Sequence, residues 1–420
     1  FFVRVSKAWE KDIAPRYFGN GADSNYDDLN PRDQVVIGNT FVPNPTWVLN
    51  VLLSAGRWRE EQDSTSKGMD GTAVGFPASL VSGFGAQTIP AFAPSGYGQI
   101  SNPRFLSFAR PVNSIQINAS KELGAHSIKF GFVLEADQLN DTDVDSPTFN
   151  FNRGLTSGPT AATNSANSGN SIASLMLGAG SGGSSPFNAA VAVQQKYYGF
   201  YGQDTWRIGK RLTLNYGLRY ELQLPRTERY NRVNWFDFNV PSPVAQQAGL
   251  PLVGGLQFAT SGQRGQWDTS TKDFAPRIGL SYKVTDKMVF RAGYGIFYLQ
   301  TAGTGAVTND GYSLSTPWVS TVGGDGIHPS ALLGNPFPQG LLPPIGNSAG
   351  LLTDLGLGVS AYQRSHPSGY SQNFSADFQI QVGRGSVVQL GYSGSLGRKL
   401  LWGFGQNANQ LPDTLLSMGG

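Results

Sequence analysis

Between Arg211 and Leu224 the chain reads RLTLNYGLRYELQL, with an apolar side chain at every even position and a polar one or glycine at every odd position. A period of two predicts a β-strand with one apolar and one polar face. Strands in globular proteins usually run about 3–10 residues, and this pattern lasts longer. The alternation returns at IKFGFVLEAD (128–137), RIGLSYKV (277–284), MVFRAGYGIFY (288–298) and NFSADFQIQV (373–382). Val289 and Phe297 interrupt the polar face of MVFRAGYGIFY.

Very short turns join these strands in pairs. They fall at Pro43–Pro45, Gly124-Ala125, just after Ile208, around Thr285-Asp286 and at Gly383–Gly385. Each is a hairpin signal, and proline is welcome where a turn needs no ladder donor. Between the hairpins lie long stretches rich in Gly, Pro, Ser, Asn and Asp, at about 61–111, 140–193, 225–270 and 301–369. Within one of them SIASLMLG (171–178) reads as one or two helical turns. Structureless loops of this length count against a compact domain. Tight turns on one rim and long loops on the other are what a transmembrane barrel has. The expected fold is therefore all-β: a transmembrane antiparallel up-and-down β-barrel, present in part, with about 11–14 strands of a larger barrel.

Strand length bears on which face meets water. Fourteen residues at about 3.3 Å span roughly 46 Å, and a tilt of about 45° leaves roughly 33 Å of height. That crosses an apolar band about 25 Å tall. Aromatic residues gather near strand ends, as interfacial belts do: Tyr197, Tyr198 and Phe200 at one end of KYYGFYGQDTW, and Trp206 at the other. Asp204 is awkward, because alternation places it on the face of Phe200 and Trp206.

Composition narrows the function classes. With no Cys there is neither a disulfide framework nor a thiolate metal site, and three His leave little for imidazole chemistry. A net charge of +3, from 31 basic and 28 acidic residues, is too balanced for a nucleic-acid binder. The 54 Gly, 16 Tyr and 25 Phe fit an all-β chain, and no run of 18 apolar residues forms a spanning helix. The opening FFVRVSKAW reads as mid-strand and the closing DTLLSMGG as no strand end, so the expectation is a piece of a longer protein without its signal peptide.

The stretch YYGFYGQDTWRIGKRLTLNYGLRYE (197–221) resembles the barrel of TonB-dependent outer-membrane receptors, most closely the Oar-like branch. GAHSIKFGF (124–132), TSGP…GNSIASLMLG (156–178), DFAPRIGLSY (273–282), VFRAGYGIFY (289–298) and VVQLGYSGSLGRKL (387–400) continue the resemblance in order. It covers the chain from about residue 110 onward and fits the first hundred residues loosely. The resemblance implies a 22-strand barrel filled by an N-terminal plug, with uptake driven by the TonB complex. No plug, TonB box or terminal aromatic residue is recognisable here, so residues 1–420 read as a partial barrel domain. The implied location is the outer membrane of a Gram-negative bacterium. The implied partners are TonB, through the plug, outer-membrane lipid and an unidentified solute.

On this reading Arg219, Glu221, Gln223 and Glu135 face the lumen, to meet plug or solute or to pair with neighbouring strands. The aromatics at the membrane interface are Tyr197, Tyr198, Phe200 and Trp206. DTDVD places Asp141, Asp143 and Asp145 at alternate positions, which can present oxygens to Ca²⁺. No turn glycine or closing Glu accompanies them, and a solvated acidic loop tip is the plainer reading. GAGSGG (178–183) satisfies G-x-G-x-x-G without a strand–turn–helix context, so it reads as loop. His126, His328 and His366 are isolated, and no catalytic motif or cofactor site stands out. The expected function is solute uptake without catalysis. A non-transporting adhesin or secretion-linked receptor, a soluble carbohydrate-binding protein and a glycosidase with paired carboxylates remain as alternatives.

Overall fold

The computed structural model describes residues 1–158, 167–300 and 307–400; DTLLSMGG and Pro159 of the TSGP motif lie outside them. The main sheet has fourteen strands: eleven form its continuous path, numbered here in chain order, and three short ones at 11–12, 26–29 and 227–228 pair beside it. The path begins with β1 (Phe2–Ala8), β2 (Arg32–Asn44), β3 (Trp47–Ser64), β4 (Arg104–Leu123), β5 (His126–Asp145) and β6 (Val191–Ile208). β7 (Leu212–Gln223), β8 (Asp273–Thr285), β9 (Met288–Tyr298), β10 (Tyr370–Val382) and β11 (Ser386–Arg398) complete it. Each strand pairs antiparallel with its neighbours in sequence. This is the up-and-down order the alternation predicted. Among the described residues no pairing joins β11 to β1, so the sheet stays open.

All five hairpins are present, and each connects two strands with two or three residues; the first turn is Pro45-Thr46, with Pro43 inside the strand Arg32–Asn44 rather than in the turn. Gly124, Gly209 and Gly383 sit there at φ +58°, +65° and +67°, a left-handed conformation that costs glycine nothing. The strand that spans RLTLNYGLRYELQL is β7, of 12 residues. Its neighbours are longer: β4 and β5 have 20 residues each, and β3 and β6 have 18. Twenty residues at about 3.3 Å make roughly 66 Å, more than a tilted crossing needs. The surplus lies on the long-loop side.

Register makes both faces continuous. One row runs Val51, Ile117, Phe132, Phe200, Tyr220 and Phe274 across β3 to β8. Another runs Leu212, Tyr282, Phe290, Phe378 and Leu390 across β7 to β11. Side chains of this face stay half-buried or exposed: Leu218 is 47% accessible, Ile278 58% and Leu390 77%. A contiguous exposed apolar band of this size fits a lipid-facing wall. The opposite face carries Ser, Asn, Gln, charged residues and glycines. Several glycines there are roofed by a neighbouring side chain: a Cβ on Gly131 would meet the Tyr201 ring, and one on Gly199 would meet the Arg219 guanidinium.

The long connections are not the structureless loops their composition suggested. One group forms a four-stranded sheet from 91–94, 148–151, 182–187 and 314–317. Phe76, Leu80, Phe149, Phe151, Trp318 and Phe337 pack as its core. Its short helix Ser171–Met176 is the helical turn expected at SIASLMLG, and the Asn170 side chain caps it by accepting from the Ile172 N–H. A second group builds a three-stranded sheet from 234–241, 253–258 and 362–363, over Leu139, Val193, Val233, Trp235 and Ala259. The apolar residues that drive this folding are few and spaced by Gly, Ser and Pro, so no period exposes them in the sequence. Among the described residues no helix is long and apolar enough to cross a membrane.

Candidate functional site

The polar face of β4 to β8 holds most of the residues that the sequence singled out. Glu135, Tyr197 and Gln223 stand in one register row, and Glu221 lies in the next beside Gly199. Arg219 follows, between Tyr201 and Ala275. Arg219, Glu221, Gln223 and Glu135 therefore share a face, as alternation required. The Arg219 guanidinium donates to Glu221 Oε1 (3.0 Å) and to the Tyr197 oxygen (2.7 Å), crossing Gly199 to reach the tyrosine. Two strands away the Tyr201 hydroxyl donates to Asn118 Oδ1 (2.7 Å) across Gly131. Glycine opposite a large side chain is how a sheet interior accommodates rings and guanidinium groups flat against the wall.

Tyr197 was grouped with the interface aromatics, and the register corrects this. It is 8% exposed, bonded to Arg219, and on the face opposite Tyr198, Phe200 and Trp206. The period-two rule itself separates Tyr197 from Tyr198; the correction comes from counting parity along β6. Tyr198, Phe200 and Trp206 do share the apolar face, and the Phe200 ring packs on Phe132 at 5.0 Å between centres, tilted by 39°.

Asp204 is resolved by partners that the sequence left far apart. Its Oδ2 lies 2.6 Å from His126 Nδ1 and accepts from the Tyr216 hydroxyl at 2.9 Å. Trp206 stacks on the His126 ring at 5.2 Å. His126 opens β5 directly after its turn, so the group sits near the short-turn rim of the apolar face. Lys121 stands on the same face there, its Nζ donating to Thr46 Oγ1 (2.7 Å) and lying 5.1 Å from the Trp47 ring centre. Polar and aromatic side chains mixed at a strand end suit the membrane–water boundary.

Asp141, Asp143 and Asp145 lie at alternate positions near the outer end of β5, opposite Phe108, Leu106 and Arg104. Asp143 Oδ2 is 3.5 Å from the Arg104 guanidinium. Among the described residues no three His, Asp or Glu side chains converge as a metal site. GAGSGG leaves the short helix and enters the strand Gly182–Phe187, with no strand–turn–helix unit around it. His328 bonds its loop neighbour Asp325 through Nδ1 (2.7 Å), and His366 lies 6.1 Å from the Trp267 ring.

The structure adds residues that sequence reading passed over. Arg226, fully buried in the second loop group, donates Nε (2.9 Å) and an Nη (2.6 Å) to Gln266 Oε1. Its guanidinium lies against the Trp267 and Tyr362 rings at 5.5 and 5.1 Å. Burial pulls its pKa below the ordinary arginine range. Glu228, also fully buried, accepts from the Ala192, Tyr230 and Arg232 N–H groups. Neither belongs to a motif, and their partners lie 36 or more residues away or in irregular backbone. On the polar face, Lys129, Gln203, Arg277 and the Asn118–Tyr201 pair line a hollow of about 630 Å³.

A family model described as an outer membrane beta barrel domain matches residues 1–419. No curated protein is similar enough to count as a relative. Among solved structures, the chain is similar to the ferric-catecholate import receptor Fiu from Escherichia coli, at 11% identity, covering 89% of this chain and 42% of that one with a TM-score of 0.38. The outer membrane transporter YddB from Escherichia coli gives 10%, 88%, 34% and 0.43 in the same order. The ferric yersiniabactin uptake receptor FyuA from Yersinia pestis gives 8%, 89%, 37% and 0.36. The chain spans less than half the length of each of these proteins.

Proposed function

Because the chain belongs to the outer membrane beta barrel domain family, whose model matches residues 1–419, we propose that it forms part of the wall of a TonB-dependent receptor that imports a solute. Its place is the outer membrane of a Gram-negative bacterium. The observation that carries the reading is the asymmetry of the two rims. Five turns of two or three residues lie on one side, and on the other the connections fold into two packed groups. Such a barrel keeps short turns in the periplasm and presents long loops outside, where a solute first arrives.

On this reading the apolar face meets lipid, and the face of Glu135, Arg219, Glu221 and Gln223 meets the lumen. The ordered motifs of 197–221 and 273–298 support the TonB-dependent assignment. The loop groups contact the solute first. The TonB complex acts through a plug, and the residues named here bind and guide rather than catalyse.

The test is fractionation of the full-length product, followed by capture with the periplasmic domain of TonB. An outer-membrane protein with heat-modifiable mobility that binds TonB is expected. A folded outer-membrane product that never binds TonB leaves an adhesin or secretion-linked receptor. A water-soluble monomer sinks the barrel reading itself.

A further inference from the structure

We infer that Asn20 is a self-modification site: the Gly21 backbone nitrogen attacks its side-chain amide and, with water as co-reactant, converts it to a carboxylate. Asn20-Gly21 is the only Asn-Gly pair in the sequence. It lies between β1 and β2, on the long-loop rim. After every other asparagine the next residue carries a side chain that crowds its nitrogen. After Asn30, Asn44, Asn102 and Asn335 that residue is proline, which has no N–H to give.

The reacting groups are unbound, and the amide is polarised. Asn20 is exposed. Its Oδ1 accepts from the Ala22 N–H at 3.1 Å, which folds the side chain back over the Gly21 peptide. That N–H points at the oxygen on which negative charge gathers when the amide carbon is attacked. Among the described residues nothing accepts from the Gly21 N–H or from Asn20 Nδ2, so nucleophile and leaving group are both free.

In the first step the Gly21 nitrogen gives up its proton and bonds to Asn20 Cγ. The Cγ–Nδ2 bond breaks, and Nδ2 takes up a proton and leaves as ammonia. Water then opens the resulting succinimide. Opening at Cγ leaves aspartate, and opening at the main-chain carbonyl leaves isoaspartate, whose backbone is one atom longer. Net, an amide and water become a carboxylic acid and ammonia, with no change of oxidation state. The longer product strains its surroundings. Gly21 is buried, and a Cβ on it would already meet Met69 Sδ and Ser66 Cβ. The next two residues anchor the segment. The Ala22 carbonyl accepts from the Ser101 N–H at 2.8 Å. Asp23, 3% exposed, accepts from the Tyr17 N–H at 2.7 Å through its carboxylate and from Thr65 Oγ1 at 3.0 Å through its carbonyl. An extra backbone atom just before Gly21 displaces these anchors and releases 17–23 from Thr65 and Ser101.

The experiment ages the folded full-length protein in detergent at mildly alkaline pH and follows the tryptic peptide 17–32 by mass spectrometry with fragmentation. The original peptide should be lost to two products, each heavier by the difference between OH and NH₂ and each changed at Asn20. Asn25 should stay intact, and Asn30, before proline, is the internal control. Asn20→Gln, whose longer side chain does not close the succinimide, should lose the conversion and keep its heat-modifiable mobility. An Asn20 that survives in the folded protein while the same peptide, released by digestion, converts in parallel overturns the inference. So does a mass change that falls on another asparagine. Chymotrypsin reads the consequence: cutting after Tyr17 or Phe18 should speed up on ageing in the wild type and not in Asn20→Gln. Cutting that does not change with conversion overturns the release of the segment.

Discussion

Asp204 Oδ2 lies 2.6 Å from His126 Nδ1 and 2.9 Å from the Tyr216 hydroxyl, on three adjacent strands of a face otherwise built from leucine, isoleucine and aromatic rings. A carboxylate there is tolerable because it accepts two hydrogen bonds at the rim, where headgroups and water begin. Asp204→Ala leaves the His126 and Tyr216 donors without that acceptor. The expected cost is about 1–3 kcal/mol, measured by urea unfolding of the full-length protein in vesicles with heat-modifiable mobility as the readout. Asp204→Asn, which keeps an acceptor, should cost less.

The two faces can be told apart directly. Leu218 projects from the exposed apolar face, and Gln203 from the polar one. Leu218→Arg should destabilise the membrane-inserted form by about 2–4 kcal/mol, while Gln203→Arg should change it little. Equal effects would remove the inside-out assignment.

Trp318 ties the first loop group together. It is 3% exposed, lies 5.2 Å from Phe149 and 5.9 Å from Phe151 between ring centres, and donates from Nε1 to the Ala331 carbonyl at 3.1 Å. Trp318→Ala should cost that group about 3–5 kcal/mol. Limited proteolysis should then cut within 65–103 and 314–345 at low protease, with the strands still protected.

In the second loop group the buried Arg226 depends on Gln266. Gln266→Ala removes both hydrogen bonds to Oε1 and should cost about 1.5–3 kcal/mol, because one partner is charged. Hydrogen exchange across 225–270 should accelerate, and exchange in β7 and β8 should not.

Asp325 supplies a pH dependence. The Ile327 N–H, with His328 Nδ1 and the His328 N–H, holds its pKa down to about 2. A carboxylate depressed by folding stabilises the folded loop above its unfolded pKa, near 3.9. That stabilisation is lost as pH falls toward 2. Carboxyl carbon shifts should show Asp325 protonating near pH 2 in the folded protein. Asp325→Asn should abolish acid-dependent opening of 321–329; opening that persists refutes the assignment.

The strands were legible in the sequence because a half-exposed sheet needs strict alternation, and parity alone gives the faces of Arg219, Phe200 and even Asp204. Tyr197 was misplaced by grouping neighbours where parity divides them. The hairpins were legible through glycine and proline. The loop groups were not: Phe149, Phe151 and Trp318 meet from segments more than 160 residues apart, and nothing periodic announces them.

Those five tight turns also set an order of events. A hairpin closed by two or three residues pays almost no loop entropy, and such hairpins form in about 1–10 μs. Joining one hairpin to the next closes a far longer connection, yet each doubling of length adds only about 0.6 kcal/mol. Each of the eleven long strands pairs with its neighbours among them in chain order. The wall can therefore be laid down one hairpin after another as the chain is delivered, without any strand waiting for a distant partner.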